Sequence, residues 1–92
     1  MTKERYEYLT SLRGTGELEK NPKLFNELFK FERKAVRIVQ VYAIDNTDTI
    51  DAARKLIYGM SMEEMLNTAI EHLDIKPSKA ALTYLKEFGS II

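Results

Sequence analysis

Four basic side chains have the spacing best suited to binding chemistry. They lie at i, i+3, i+4 and i+7: Lys30, Arg33, Lys34 and Arg37. In a helix this spacing places all four on one face. Such a row could bind an anion, a phosphate or an acidic protein partner. A solvated helix face explains the same pattern, and no glycine-rich loop or interleaved aromatic residue points specifically to phosphate.

A second candidate is a segment near the C-terminus, Ala69 to Phe88. The stretch Leu73-Asp74-Ile75-Lys76-Pro77-Ser78 resembles the turn of a helix-turn-helix motif. The resemblance implies that the following helix presents four residues to the major groove of DNA: Ser78, Lys79, Thr83 and Lys86. Two departures weaken it: Asp74 stands where glycine is usual, and the preceding helix is acidic, which repels phosphate. Two bundle helices in an antiparallel hairpin are the alternative.

Other chemistry-bearing residues lack the partners that a site requires. Asp45, Thr47, Thr49 and Asp51 alternate like the start of a calcium loop. However, Ile50 and Leu56 replace the glycine and the bidentate glutamate that such a loop needs, so helix capping explains these residues better.

The sequence gives equally little support for a catalytic site or a metal site. His72 is the only histidine, and the chain has no cysteine. Glu63 and Glu64 are adjacent, so on a helix they diverge by about 100° and do not converge on one point. We therefore expect no enzyme, no metal site and no cofactor.

Composition indicates one domain of 92 residues with zero net charge. The charge is uneven: nine basic and six acidic residues in 1–44 give +3, and three basic and seven acidic residues in 45–76 give −4. This asymmetry favours self-association or a mixed partner surface over general nucleic-acid binding. The absence of cysteine, of an apolar leader and of a membrane-length apolar run predicts a cytoplasmic protein without membrane contact.

Helix signals then divide the chain. A first helix from Thr2 to Arg13 is ended by Gly14-Thr15-Gly16. A long second helix begins at Asn21-Pro22, a good cap followed by a favoured first residue. Its apolar seam recurs at spacings of four and three: Leu24, Leu28, Phe31, Ala35, Ile38 and Tyr42. Residues 35–44 are rich in β-branched side chains and could form a strand by propensity, but the unbroken register favours helix.

Three shorter helices follow. One carries Ile50, Ala53, Ile57 and Met60 on one face and closes at Gly59. The next opens with a capping box of Ser61 and Glu64 and buries Met62, Met65, Leu66, Ala69 and Leu73. The last starts at Pro77 or Ser78, buries Ala81, Leu85 and Phe88 with Leu82 alongside, and ends at Gly89. Because the connections are short, consecutive helices are expected to pack as neighbours.

These elements predict an all-α fold: one domain over residues 1–92, with four to five helices around a long central helix, approximately residues 22–44. A second apolar stripe, Phe25, Phe29, Val36 and Val39, widens the face of the central helix. Together with Tyr6 and Tyr8 it exceeds what short helices can cover, so the surplus is expected to meet a second copy or another protein.

The predicted function is therefore that of a non-enzymatic interaction protein, a regulator or inhibitor that binds a protein partner and can form a homodimer. The expected contact residues are Phe25, Phe29, Lys30, Arg33, Lys34 and Arg37. The alternative is a DNA-binding transcriptional regulator that uses a helix-turn-helix within residues 66–88.

Overall fold

Six helices make up the regular structure of the protein, and it contains no strand. The computed structural model describes all of residues 1–92. In chain order the helices are α1 (Lys3–Ser11), α2 (Glu17–Lys20), α3 (Pro22–Asp45), α4 (Ile50–Tyr58), α5 (Met62–Glu71) and α6 (Lys79–Phe88). The predicted all-α fold is confirmed.

The 24-residue helix α3 is the centre of the bundle. At 1.5 Å per residue it is about 36 Å long, which accounts for most of the 43 Å length of the molecule. It packs against each of the other five helices, and every extensively packed helix pair includes it. The expectation that consecutive helices pack as neighbours therefore holds for α2–α3 and α3–α4 only, whereas α5 and α6 rest mainly on α3, which offers the widest apolar face.

The β-branched stretch 35–44 is helical. Its side chains continue the register set upstream, so Ala35, Ile38 and Val39 are buried on the same side as Leu28 and Phe31. Burial of this continuous face outweighs the modest strand propensity of valine and isoleucine. None of the helices, α3 included, has the length and apolar character of a membrane span.

The chain between α1 and α3 contains a short helix that the sequence did not indicate. Gly14 and Gly16 adopt positive φ values of 79° and 82°, and α2 follows at once. Asn21 then has two roles. Its N–H bonds the carbonyls of Glu17 and Leu18 to end α2, and its position opens α3 at Pro22. The Asn21 side chain makes no capping hydrogen bond, so only its predicted position is confirmed.

The capping box at the start of α5 is present in full. The Ser61 hydroxyl accepts the Glu64 N–H at 3.1 Å, and the Glu64 carboxylate accepts the Ser61 N–H at 3.2 Å. Thr49 caps α4 and Ser78 caps α6 with the hydroxyl alone, which accepts the N–H of Ala52 and of Ala81 respectively.

Three apolar residues expected in the core lie outside it. Met62, Phe88 and Leu82 are 68%, 60% and 47% exposed. Met62 occupies the first turn of α5, where α3 does not cover it. Only Ala81 and Leu85 of α6 are fully buried, which turns Leu82 to solvent and leaves the Phe88 ring against that of Tyr84 at 4.6 Å.

The C-terminal tail docks onto the bundle. Ile91 is 1% exposed and belongs to the main core cluster, together with residues of α3, α4, α5 and α6. Its N–H donates to Oε1 of Gln40 at 3.0 Å, and its carbonyl accepts from Nε of Arg54 at 2.7 Å. Gln40 is the only polar residue buried in the protein. The tail is therefore part of the core.

Candidate protein-binding face

The six residues predicted to contact a partner all lie exposed on α3. We call them the aromatic–basic face: Phe25, Phe29, Lys30, Arg33, Lys34 and Arg37. At 100° per residue the two phenylalanines lie along one edge of this face and the four cations follow on the side away from the core. The arrangement agrees with the spacing in the sequence, because an uninterrupted helix carries all six residues.

Phe25 and Phe29 form a stacked pair on the surface. Their ring centroids are 6.1 Å apart and their planes differ by 7°. The two side chains are 50% and 48% exposed, and the Arg33 guanidinium lies 5.8 Å from the centroid of the Phe29 ring. Aromatic rings and arginine side chains release much free energy when a partner covers them. This pair is therefore the largest exposed aromatic surface of the face.

The four cations of this face form no ion pair. The salt bridges of the protein join Arg5 to Glu27, Arg13 to Glu32 and Arg54 to Asp51. Both acidic residues of α3 that could neutralise the face, Glu27 and Glu32, are thus engaged by arginines from α1 and the turn after it. The positive charge of the face remains free to attract an acidic surface.

Ion pairing instead fastens α1 to α3. Nε and Nη2 of Arg5 donate to the two carboxylate oxygens of Glu27 at 3.0 and 2.8 Å. These hydrogen bonds lower the pKa of Glu27 and raise that of Arg5.

Nearby, Tyr6 packs on Phe31 with ring centroids 5.3 Å apart, and burial, reinforced by Glu32, raises its pKa. Tyr6 therefore does not belong to an exposed aromatic patch, whereas Tyr8 is 50% exposed.

Next to the face lies a cavity of about 420 Å³, which we call the apolar groove. Nine of its 12 lining residues are hydrophobic. The main contributors come from α1, α3, α5 and the tail: Tyr6, Val36, Val39, Met62, Met65 and Ile92. The sequence did not reveal the groove. The only signals for it were the methionines around residue 62 and the excess width of the apolar face of α3.

A shallower depression adjoins the groove beside the stacked phenyl rings. Phe25 and Phe29 line it together with Leu28. Arg13 and Glu32 line both cavities, so their ion pair divides one from the other. The exposed apolar surface thus continues along one edge of α3, from the rings to the groove.

The residues predicted to read DNA lie on α6. Lys79, Thr83 and Lys86 are exposed, and their spacing places them on one face. The Ser78 hydroxyl is occupied, because it donates to Asp45 while accepting the Ala81 N–H. The α5–α6 connection covers residues 72–78, whereas a helix-turn-helix turn has about 3–4 residues. DNA binding by α6 stays a prediction.

The residues of the calcium-like pattern make hydrogen bonds within the bundle. Asp45 binds Ser78, the Thr47 hydroxyl donates to the Ala43 carbonyl, and Thr49 caps α4. The His72 ring packs against Tyr42 with centroids 4.7 Å apart. No group of three or more His, Cys, Asp or Glu side chains is arranged to hold a metal ion.

Comparisons with models of protein families, with curated protein sequences and with solved structures found no match for this chain.

Proposed function

We propose that this chain is a non-enzymatic interaction protein that binds a protein partner through the aromatic–basic face, as a small regulator or inhibitor. The supporting observation is the stacked, half-exposed Phe25–Phe29 pair beside four cations that form no ion pair. The preferred partner presents apolar side chains to the rings and carboxylates to the cations. Binding of this kind combines apolar burial with electrostatic steering.

The rigidity of α3 supports the same conclusion. The face lies on a continuous helix whose opposite side is packed in the core, so the backbone positions of its residues keep a fixed spacing before a partner arrives. Such preorganisation lowers the entropy lost on binding. Most hydroxyl groups that form hydrogen bonds cap helices or bond to backbone, as those of Ser61, Thr49 and Ser78 do. Because these hydroxyls have structural partners, a binding role is favoured over a catalytic one.

Affinity capture from the source cell, with Phe29→Ala and Arg33→Glu variants, tests the proposal. We expect each variant to weaken capture of the partner by about tenfold or more, because central aromatic and arginine contacts dominate interface energies. Tyr58→Ala and Lys79→Glu are matched controls: Tyr58 is 71% exposed and Lys79 is exposed, both away from the face. Partner binding that is unchanged in both face variants would overturn the proposal.

The mass of the purified chain in solution distinguishes the kind of partner. A monomer that captures another protein identifies a heterologous partner. A dimer that both face variants dissociate identifies a second copy of this chain as the partner. Either result agrees with protein binding at this face.

A further inference from the structure

We propose that the apolar groove and the edge of the aromatic–basic face together hold an amphipathic α-helix of the partner. Its apolar side lies over Phe25, Phe29 and the groove, and its acidic residues lie opposite Arg33. This inference rests on the proposed function and adds the form of the partner and the groove in which it docks.

The length of the apolar surface supports a helix as the occupant. The exposed side chains Phe25, Phe29 and Val36 share one edge of α3, at spacings of four and seven residues. From Phe25 to Val36 the rise is about 16 Å, or three helical turns. A small molecule could fill the groove but would leave the phenyl rings uncovered. A three-turn amphipathic helix, with anchors every three or four residues, covers the whole strip.

The groove itself has adaptable walls. Val36 is 48% exposed on one side, and Met62, 68% exposed, lies with Met65 on the other. Methionine side chains are flexible and polarisable, so they adjust to the shape of an inserted side chain. The volume of about 420 Å³ accommodates apolar side chains of a docked helix.

The charged residues in and beside this apolar surface indicate which kind of helix binds there. Inside the strip, Arg13 and Glu32 neutralise each other. Beside it, Arg33 lies 5.8 Å from the Phe29 ring centroid and forms no ion pair, so the adjacent rim is positive and favours an acidic helix. An antiparallel two-fold pairing of α3 with a second copy brings the same flank of each helix together. It would bring Arg33 of one chain to the same side of the interface as Arg33 of the other, which disfavours that occupant.

A peptide-display selection on the purified full chain tests this inference. The library consists of peptides of about 16 residues with apolar residues at i, i+4, i+7 and i+11 and all other positions random. We expect the enriched peptides to be net acidic. Their affinity should fall about tenfold or more in Val36→Glu, Met62→Glu and Arg33→Glu, because these changes place carboxylates in the groove or reverse the charge of the rim.

Two variants on α6 serve as matched controls. Leu82→Glu introduces the same charge at a side chain as exposed as Val36, and Lys79→Glu matches Arg33→Glu. Both should retain wild-type affinity, and circular dichroism should show wild-type helix content for every variant. The inference is overturned if no peptide is enriched, if the enriched peptides are neutral or basic, or if Val36→Glu and Met62→Glu bind them normally. A dimer of the chain that Val36→Glu dissociates also overturns it, in favour of a second copy.

Binding of the captured partner to these variants distinguishes this inference from the proposed function. If its binding is lost in Phe29→Ala but retained in Val36→Glu and Met62→Glu, the face is correct and the groove is not. If all of these variants bind it normally, both proposals fail.

Discussion

The backbone N–H of Ile91 donates a 3.0 Å hydrogen bond to the side chain of Gln40, although 51 residues separate them in the chain. The bond is buried, and Gln40 is the only buried polar residue. It joins the C-terminal half of α3 to the tail that packs into the core. Without it, the Ile91 amide would have no partner in an apolar setting.

Gln40→Leu should therefore lower the free energy of unfolding by about 1–3 kcal/mol, the usual effect of leaving a buried backbone amide unsatisfied. Urea denaturation followed by circular dichroism measures the change. Lys55→Ala, at an exposed site of α4, is the control and should stay within about 0.5 kcal/mol. An unchanged midpoint for Gln40→Leu would show that the tail is not held by this bond.

Ser78→Ala should destabilise the protein more than Ser61→Ala does. Each serine caps a helix, and loss of a cap costs about 1 kcal/mol. Ser78 also donates to Asp45, the last residue of α3, and so ties α6 to the central helix. A double-mutant cycle of Ser78→Ala and Asp45→Ala should show coupling. If the two effects simply add, this link contributes nothing to stability.

Acidification should weaken the attachment of α1 to α3. Arg5 hydrogen bonds lower the pKa of Glu27 in the folded protein. The unfolded chain therefore takes up a proton first, near pH 4.3. The contribution of Glu27 is present above that pH and is lost as the pH falls through the lower folded pKa.

Stability curves of wild type and Glu27→Gln, compared by thermal denaturation between pH 7 and pH 3, measure this loss. The wild type should be the more stable at neutral pH, and the gap should close on acidification. Added salt should reduce the gap, because the pair is exposed. A gap that is independent of pH would contradict the assignment.

Arg13 and Arg33 should respond differently to charge reversal. Arg13 pairs with Glu32, whereas Arg33 lies over the Phe29 ring and has no carboxylate partner. Arg13→Glu should cost about 0.2–1 kcal/mol or somewhat more, because an attraction is replaced by repulsion. Arg33→Glu should leave the melting temperature nearly unchanged. Differential scanning calorimetry compares the two, and equal losses would show that Arg33 has a structural role.

Local sequence signals predict five of the six helices and much of the core. The seam from Leu24 through Tyr42, the proline at the start of α3 and the Ser61–Glu64 box act within one or two turns, so they can be recognised without knowledge of the fold. The short helix α2 was missed because four residues show no periodicity and Asn21 ends one helix while it opens the next.

Which apolar side chains remain exposed depends on how whole helices pack. Met62, Phe88 and Val36 are as apolar as the residues of the core. They are exposed because the neighbouring helices do not cover their positions. The Gln40–Ile91 bond and the apolar groove likewise join residues distant in the chain. Local signals act through the nearest turns of backbone, whereas burial and cavities depend on how whole helices meet, and no short stretch of sequence encodes that.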